Sequence, residues 1–215
     1  AACDMAERAS VPVAVHLDHS NSFEIAVKGI RDGFPSVMVD GSALPFEDNV
    51  ALTAAVVRTA GIFGVDVEAE LGHVGSGDNE DDIVNSDHYT RVDQAVEFVE
   101  RTGCGSLAIA VGNAHGPYVK TPNLDFDRIK AIRSKVSVPL VLHGCSDIPQ
   151  EQLKEAVNLG MSKFNIATEY FRAMYQAMEK GIASGKFDGN AVGLMFDIQE
   201  DMIGFVVEKI RLLNP

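Results

Sequence analysis

Short apolar runs alternate with longer amphipathic stretches along this chain, and the alternation repeats six times. Brief runs rich in valine, leucine and isoleucine predict buried strands. The first run, at residues 11–15, contains only valine, proline and alanine, and Asp18 and His19 follow it. The six runs place strands at residues 13–17, 36–40, 66–71, 106–111, 140–143 and 163–166.

The stretches between the strands have the apolar spacing that is typical of amphipathic helices. Thr90 and Asp93 have the spacing of a helix capping pair, whereas residues 72–87 are polar and predict a mobile loop. Helices are expected near residues 3–9, 22–32, 46–63, 91–102, 125–135, 149–159, 168–184 and 194–212.

Buried strands that alternate with helices indicate an α/β fold with a parallel sheet covered on both faces. A doubly wound open sheet and a (β/α)8 TIM barrel both fit this pattern, although the count of six strands is two short of eight. In both architectures the functional residues lie at the C-terminal ends of the strands. We expect one domain over residues 1–215, and the helix at its beginning indicates a chain that starts in mid-fold.

Composition narrows the classes of partner. The 215 residues are 46% hydrophobic and carry a formal charge of −13, from 31 acidic and 18 basic residues. This charge argues against binding to nucleic acid or to an anionic membrane surface. An anionic substrate would therefore need a metal ion or helix N-termini to meet its charge. Cys3, Cys104 and Cys145 are far apart, which is typical of reduced thiols in a cytoplasmic protein.

Three predicted strands end in histidine, at His19, His115 and His143. Three neutral imidazoles can hold Zn²⁺ and leave one position open, as in catalytic zinc sites. Asp18 precedes one of these ligands and is expected to act as a general acid or base, or to orient a histidine.

Two further carboxylates, Asp40 and Glu70, also lie at predicted strand ends. They are expected either to orient the histidines or to form a deeper metal position. Glu68 shares a strand face with Glu70, and we expect it to form a structural ion pair.

The last two loops after strands carry small residues before helices. Gly144-Cys145-Ser146 follows His143, and Asn165-Ile166-Ala167-Thr168 follows the last strand. Such loops expose backbone N–H groups to an anion, and in TIM barrels the loops after strands seven and eight bind phosphate. If the first two strands of a barrel are missing from this chain, its last two loops correspond to the loops after strands seven and eight. Ordinary turn chemistry would explain the same residues.

Six motifs occur in order along about residues 10 to 170. They are His16-Leu17-Asp18-His19, Val39-Asp40-Gly41-Ser42 with Leu44-Pro45-Phe46-Glu47, Val67-Glu68-Ala69-Glu70-Leu71-Gly72, Gly112-Asn113-Ala114-His115-Gly116, Leu140-Val141-Leu142-His143-Gly144 and Asn165-Ile166-Ala167-Thr168. Together they resemble the motifs of the class II, zinc-dependent fructose-/tagatose-bisphosphate aldolases, a family whose fold is a (β/α)8 barrel.

The resemblance implies aldol cleavage or condensation of a ketose 1,6-bisphosphate, giving dihydroxyacetone phosphate and an aldehyde phosphate. It implies that Asp18 is the catalytic proton donor, and that Asp40 and Glu70 belong to a second metal position. It places Zn²⁺ on His19, His115 and His143. The dihydroxyacetone phosphate half would contact Gly116, Gly144, Cys145, Ser146, Asn165, Ile166, Ala167 and Thr168. A monovalent cation, Na⁺ or K⁺, is implied near Gly116, Gly144 and Ser146.

An acidic residue of the loop is also implied to move the C3 proton. Glu80 is our candidate, with Asp78, Asp81 and Asp82 as alternatives in a loop that is longer than the family's usual one. Ala167 stands where fructose-specific members often have aspartate, which favours the tagatose-type branch, and Ser20 is a second departure.

The family's first two strands have no counterpart in this sequence. We therefore expect either an inactive fragment or pseudoenzyme, or a chain that completes itself as a homo-oligomer (dimer or tetramer). Two other enzyme classes are open: a Schiff-base aldolase using Lys163, expected near the start of its strand and away from the active face, and a metal-dependent hydrolase.

Overall fold

The computed structural model describes residues 1–214, and this part of the chain contains a six-stranded parallel sheet. Each strand pairs with the next in sequence, so the spatial order is the chain order. The strands are β1 (His16–Ser20), β2 (Ser36–Val39), β3 (Asp66–Leu71), β4 (Ser106–Ile109), β5 (Leu140–Leu142) and β6 (Met161–Phe164).

Helices follow the strands, as the alternation predicted. They are α1 (Ala2–Arg8), α2 (Phe23–Arg31), α3 (Phe46–Phe63), α4 (Glu80–Val84), α5 (Val92–Thr102), α6 (Phe126–Arg133), α7 (Gln150–Asn158), α8 (Thr168–Ala183), α9 (Ala191–Asp197) and α10 (Gln199–Leu213), with a 3₁₀ turn at Ser86–His88. The single helix expected at 194–212 is therefore two helices, which meet at Ile198.

The sheet curls into a half-barrel of the TIM-barrel type. In a flat sheet β1 and β5 would be about 19 Å apart, because neighbouring strands lie about 4.8 Å from each other. Yet Nε2 of His19, in β1, lies 3.0 Å from Nδ1 of His143, which follows β5. The expected α/β barrel architecture is confirmed, and within residues 1–214 β1 and β6 form the two edges of the sheet.

The first predicted strand was placed too early. Val11 and Val13 are 63% and 51% exposed, and the strand begins only at His16. Pairing with β2 starts at His16 opposite Ser36, so the backbone before His16 has no ladder partner among the described residues. As a result Asp18 lies inside β1 rather than beyond its end.

The polar segment 72–88 is not a featureless loop. It contains α4 and the 3₁₀ turn, and an isolated parallel bridge joins Ser76 to His115. The predicted capping role of Thr90 was wrong, since α5 has no side-chain cap among the described residues. The Thr90 hydroxyl instead donates to the Leu71 carbonyl and accepts from the Ala110 N–H, which joins the ends of β3 and β4.

The apolar core lies between the sheet and the helices in two clusters. The larger one contains Phe98 of α5, Leu107 of β4, Ile132 of α6 and Leu142 of β5, all completely buried. The smaller cluster packs α2 and α3 against β2. Strands from this core lead directly to the predicted site residues, so the packing fixes where those side chains emerge.

Helices α8, α9 and α10 carry exposed apolar side chains. These are Phe171, Tyr175, Ile182, Val192, Met195, Phe196, Ile203, Val206 and Ile210. Exposed apolar side chains concentrated on neighbouring helices often mark an interaction site. None of the helices within residues 1–214 is long and apolar enough to cross a membrane.

Candidate active site

Three imidazoles meet at the C-terminal ends of the strands. Nδ1 of His143 lies 3.0 Å from Nε2 of His19 and 3.4 Å from Nε2 of His115. The rings are close to perpendicular, with interplanar angles of 79°, 89° and 80°. The three histidines that the sequence grouped by their place after strands are therefore neighbours in space.

Local backbone features set the position of each ring. His19 has a φ of +48° and lies where the pairing of β1 with β2 shifts register. The Asn113 side chain joins the loops that carry the other two rings. Its oxygen accepts from the Val111 N–H, and its nitrogen donates to the His143 carbonyl at 3.0 Å.

Two of the imidazoles are held from outside by a carboxylate. Nδ1 of His19 is 3.0 Å from Oδ2 of Asp40, and Nε2 of His143 is 2.8 Å from Oε1 of Glu68. The Val74 backbone lies near the His115 ring. If each outer nitrogen carries the proton, the inner nitrogens present lone pairs to one another, which is how proteins orient metal-binding histidines.

This cluster fits a zinc ion. Tetrahedral zinc with Zn–N distances of about 2.0–2.1 Å places its ligand nitrogens about 3.3–3.4 Å apart. The observed separations from Nδ1 of His143 are 3.0 and 3.4 Å. Three imidazoles leave a fourth position for substrate or water, which is the arrangement of catalytic rather than structural zinc sites.

The surroundings of the cluster shift the pKa values of two imidazoles in opposite directions and keep one carboxylate ionised. Burial and the neighbouring His19 and His143 lower the pKa of His115 to about 4. The hydrogen bond that His19 donates to Asp40 raises the pKa of His19. Burial would raise the pKa of Asp40, but hydrogen bonds from His19 and Ser42 outweigh it and lower that pKa to about 2. Asp40 is therefore an ionised anchor.

Glu70 lies beside the imidazoles and is 1% exposed. Its Oε2 is 3.8 Å from Nδ1 of His143, and no described residue donates a hydrogen bond to it. Burial and the nearby Asp40 raise the pKa of Glu70 to about 8. One ligand atom each from His19, Asp40 and Glu70 lie within 4.8 Å of one another, so a second metal position can form here.

Glu68 forms the ion pair that was expected of it. Its Oε2 is 2.7 Å from Nζ of Lys163, and its Oε1 contacts His143. The placement of Lys163 near the strand start and away from the active face was wrong. Lys163 is the third residue of β6. Its side chain points into the barrel, where Glu68 contacts both Lys163 and His143.

Asp18 lies at the rim of a cavity of about 230 Å³. Its Oδ1 accepts a hydrogen bond from Nδ2 of Asn165 at 3.2 Å. The cavity is lined by Asp18, His19, His115, Gly116, His143, Gly144, Ser146, Asn165, Ala167 and Thr168. The structure thus brings most of the predicted catalytic, metal and substrate residues to one concave surface.

The loops after β5 and β6 adjoin this cavity. The Ser146 hydroxyl accepts from the Glu169 N–H in the first turn of α8. Gly144 has a φ of +61°, and a Cβ there would lie 2.0 Å from the Ala114 carbonyl oxygen. Only glycine fits this position, which brings the backbone of one loop against that of its neighbour.

Two residues predicted to bind substrate do not present side chains to the cavity. Cys145 is completely buried, and its Sγ faces the Leu142 carbonyl at 3.0 Å. Burial raises the pKa of this thiol well above its usual range. Ile166 packs against the larger core cluster. Any contact of Cys145 or Ile166 with substrate would therefore come from the backbone.

Glu80 lies outside the cavity in this structure. It begins α4, and its Oε1 is 2.9 Å from Nζ of Lys120. Of the alternative loop acids, Asp82 accepts from the Ser76 N–H and Asp81 accepts from the Asn85 side chain.

Sequence reasoning missed two groups of residues. The Tyr118 hydroxyl accepts from the Ala114 N–H at 2.7 Å and donates to the Gly144 carbonyl at 2.8 Å, which joins the loops after β4 and β5. A second metal-ligand cluster contains His73, Asp82 and His88. Two histidines beside an acid-rich segment were the available signal for it.

A parallel half-barrel with three convergent imidazoles at its strand ends defines an α/β barrel protein with a metal-ligand cluster. The model of the family "Fructose-bisphosphate aldolase class-II" matches residues 1–215. The chain belongs to this family.

Two curated relatives support the assignment. The chain is 48% identical over 210 residues to the uncharacterized protein YdjI of Escherichia coli (strain K12), covering 98% of this chain and 74% of YdjI. It is 46% identical over 177 residues to a probable fructose-bisphosphate aldolase of Bacillus subtilis (strain 168), covering 82% of this chain and 62% of that protein. The chain thus spans between about three fifths and three quarters of the length of these relatives.

Solved structures show the same fold. The crystal structure of the YdjI aldolase from Escherichia coli K12 superposes with a TM-score of 0.83 and 41% identity, covering 98% of this chain and 72% of that one. A putative fructose-1,6-biphosphate aldolase from Coccidioides immitis superposes with a TM-score of 0.83 and 29% identity, covering 99% and 75%.

Proposed function

We propose that this chain catalyses the Zn²⁺-dependent, reversible aldol cleavage of a ketose 1,6-bisphosphate of the tagatose or fructose type. The products are dihydroxyacetone phosphate and an aldehyde phosphate. The observation that carries the proposal is the convergence of three imidazoles, two of which have their outer nitrogens anchored by Asp40 and Glu68. The same cavity is lined by Asp18 and by the loops after β5 and β6.

His19, His115 and His143 would hold the metal ion. When bound, Zn²⁺ supplies a Lewis acid that polarises a carbonyl oxygen and stabilises the negative charge that develops on it. The three imidazoles bring no negative charge of their own, so they would leave the charge of a bound ion undiminished towards an anionic substrate. Asp40 and Glu70 would offer a second metal position beneath the first.

Asp18 would hold or accept the proton of the hydroxyl that becomes the aldehyde. Its position at the cavity rim, beside the metal ligand His19, suits a general acid or base. Asn165 donates to Oδ1 of Asp18 at 3.2 Å, which fixes the direction of the carboxylate. The other carboxylate oxygen is then the one available for proton transfer.

The phosphate of the dihydroxyacetone half would bind at Gly144, Ser146 and the first turn of α8. Backbone N–H groups at the start of a helix attract an anion, and α8 is 16 residues long. A monovalent cation, Na⁺ or K⁺, near Gly116, Gly144 and Ser146 would add local positive charge. This local arrangement allows a protein with a net charge of −13 to bind a dianion.

Glu80 is our candidate for moving the C3 proton. Its ion pair with Lys120 holds it away from the cavity, so this role requires the 72–88 segment to move when substrate binds. Ala167 lies in the cavity wall and supports the tagatose-type branch, because fructose-specific members of the family often have aspartate at this position.

Zinc content and cleavage activity test the proposal together. We expect chelation to abolish cleavage of both tagatose and fructose 1,6-bisphosphate, and Zn²⁺ to restore it. His115→Ala should lose one equivalent of zinc and all activity. Glu47→Gln, an exposed carboxylate paired with Arg101, should retain both. Full activity in a zinc-free chain would contradict the proposal.

A pseudoenzyme that binds metal and sugar phosphate without turnover is the second candidate. The engagement of Glu80 by Lys120 favours it, because the loop acid is then out of reach. If the wild-type chain binds zinc and sugar phosphate but does not cleave the bisphosphate, it is a pseudoenzyme. The Schiff-base alternative is disfavoured, since an ammonium ion-paired with the buried Glu68 is a poor nucleophile.

We also propose a homo-oligomer in the cytoplasm. The exposed apolar side chains of α8, α9 and α10 support an interface between copies. The thiols of Cys3, Cys104 and Cys145 are free within the described residues, which is typical of a reducing compartment. Light scattering at several concentrations would test the association.

A further inference from the structure

A second histidine cluster lies in the segment between β3 and α5. His73 follows Gly72 at the start of this segment, His88 lies at its end, and Asp82 belongs to the short helix α4 between them. The backbone N–H of His73 donates to the His88 carbonyl at 2.8 Å. The cluster shares no residue with the His19, His115 and His143 cluster.

The three side chains face one another with ligand spacing. Nε2 of His73 is 3.2 Å from Oδ1 of Asp82, and Nδ1 of His88 is 3.7 Å from the same oxygen. One ligand atom from each residue lies within 4.8 Å of the other two. The imidazole rings are T-shaped, with centroids 5.1 Å apart.

Contacts outside the cluster fix two of the three ligands. Oδ2 of Asp82 accepts from the Ser76 N–H at 2.8 Å, which leaves Oδ1 to face both imidazoles. Nε2 of His88 faces Oδ2 of Asp81 at 3.7 Å. A proton on that nitrogen would leave the Nδ1 lone pair of His88 directed towards Asp82, as outer carboxylates do in metal sites.

A simple ion pair leaves one atom of this cluster unexplained. Asp82 and His73 can pair by themselves, but Nδ1 of His88 is buried and has no hydrogen-bond partner among the described residues. A metal ion between the three atoms would satisfy it. Tetrahedral geometry with bonds of about 2.0–2.2 Å requires ligand separations of about 3.3–3.6 Å, and the observed values of 3.2 and 3.7 Å bracket this range.

We propose that His73, Asp82 and His88 form a second binding site for a divalent transition-metal ion, with Zn²⁺ the best match to two imidazoles and a carboxylate. The ion fastens both ends of the 72–88 segment to α4. A water molecule takes the remaining position.

The site is connected to the first cluster through the backbone. The His115 N–H donates to the Gly75 carbonyl at 2.8 Å, and the Gly77 N–H donates to the His115 carbonyl. Metal binding at His73 and His88 would therefore restrain the part of the 72–88 segment, around Gly75 and Gly77, that is hydrogen-bonded to the His115 backbone. It also restrains α4, which begins with Glu80.

Zinc titration of the full chain tests the proposal, with ZnCl₂ as the probe and a competing chelator as the reference. We expect the wild-type chain to bind one equivalent more than His73→Gln and His88→Gln. Asp82→Asn should lose the same equivalent. Asp87→Asn is the matched control, because it removes an equal charge from the same segment without removing a ligand, and it should bind as much zinc as the wild-type chain. Asp81→Asn should weaken the second site by about tenfold.

The His115→Ala chain isolates the second site and separates this proposal from the proposed function. Its backbone bonds to Gly75 and Gly77 do not need the imidazole. In this chain, free zinc at 100 times the dissociation constant should slow amide exchange in residues 72–88 by about 100-fold.

The outcomes divide cleanly. Wild-type zinc content in both His73→Gln and His88→Gln would overturn the second site, whatever His115→Ala does. Loss of zinc in those two variants, with no loss in His115→Ala, would support the second site and contradict the zinc ligands of the proposed function.

Discussion

The buried carboxylate of Glu68 accepts a hydrogen bond from Nε2 of His143 at 2.8 Å. Its second oxygen is ion-paired with Lys163, so one carboxylate joins a histidine of the proposed zinc site to a lysine of the neighbouring strand. Burial would raise the pKa of Glu68, but the contacts with His143 and Lys163 outweigh it and lower that pKa. Glu68 is thus an ionised acceptor that fixes the His143 ring.

Glu68→Gln should weaken zinc binding at the first cluster by about 10–100-fold. The amide keeps the size of the side chain but is a weaker acceptor for His143, and it leaves Lys163 without a counter-charge. Zinc competition with a chelator measures the change. Glu47→Gln, at an exposed carboxylate, is the matched control, and equal affinities in the two variants would count against the role of Glu68.

Asp18→Asn should lower kcat by about 10²–10⁴-fold while the zinc content stays that of the wild-type chain. The amide cannot exchange a proton, but it can keep the hydrogen bond with Asn165. Steady-state cleavage kinetics and elemental analysis on one sample check both expectations. Asp4→Asn in α1, where the carboxylate pairs only with Arg8, should leave kcat unchanged. A drop in zinc content would instead make Asp18 a structural residue.

Gly144→Ala should destabilise the chain by more than the strain of a left-handed residue alone, which is about 1–3 kcal/mol. The new Cβ would lie 2.0 Å from the Ala114 carbonyl oxygen, so the two loops at the cavity must separate. Gly185→Ala is the control, because Gly185 has a similar φ of +67° with nothing within 4 Å of the Cβ position. Denaturant unfolding measures both, and equal losses would show that the close approach is unimportant.

Asp147 gives a pH-dependent contribution to stability. Its hydrogen bonds with Arg172 lower the pKa of Asp147, so the unfolded state binds the proton more readily than the folded state. The pair therefore stabilises the fold above the unfolded pKa of about 3.9, and this contribution is lost as the pH falls through the lower folded value.

Asp147→Asn removes this contribution and tolerates the left-handed φ of +62° at the position. Since both partners are partly exposed, we expect a loss of under about 1 kcal/mol at pH 7. Urea unfolding of both chains between pH 7 and pH 3 should show the difference shrinking only below about pH 4. A difference that grows on acidification would contradict the sign.

Regular elements were predicted well where local sequence decides them. The bounds of α3 and β3 agree with the prediction at both ends. Helix α3 ends at Gly64 in the left-handed region, and β3 is apolar on the face that packs against the helices. The first strand failed because its valines had the right composition but no neighbouring strand to pair with. Pairing is a tertiary property that a single apolar run does not contain.

The candidate site was predicted for a different reason. Parallel strands all deliver their C-terminal residues to one edge, so His19, His115 and His143 could be grouped without knowing any distance. The position of Lys163 along the barrel could not be predicted, because β6 begins and ends two residues earlier than the sequence indicated. The His73, Asp82 and His88 cluster depends on the path of a polar segment that has no periodicity to interpret.

The curl of the sheet gives the first cluster a role in holding the chain together. His19 and His143 are 124 residues apart in sequence, so an ion shared by them acts as a removable cross-link between the two sides of the half-barrel. In the chain-entropy model, a cross-link that closes a loop of this size stabilises the fold by on the order of 5 kcal/mol. If the proposed zinc ion is bound there, its depletion should therefore make the protein susceptible to proteolysis throughout its length.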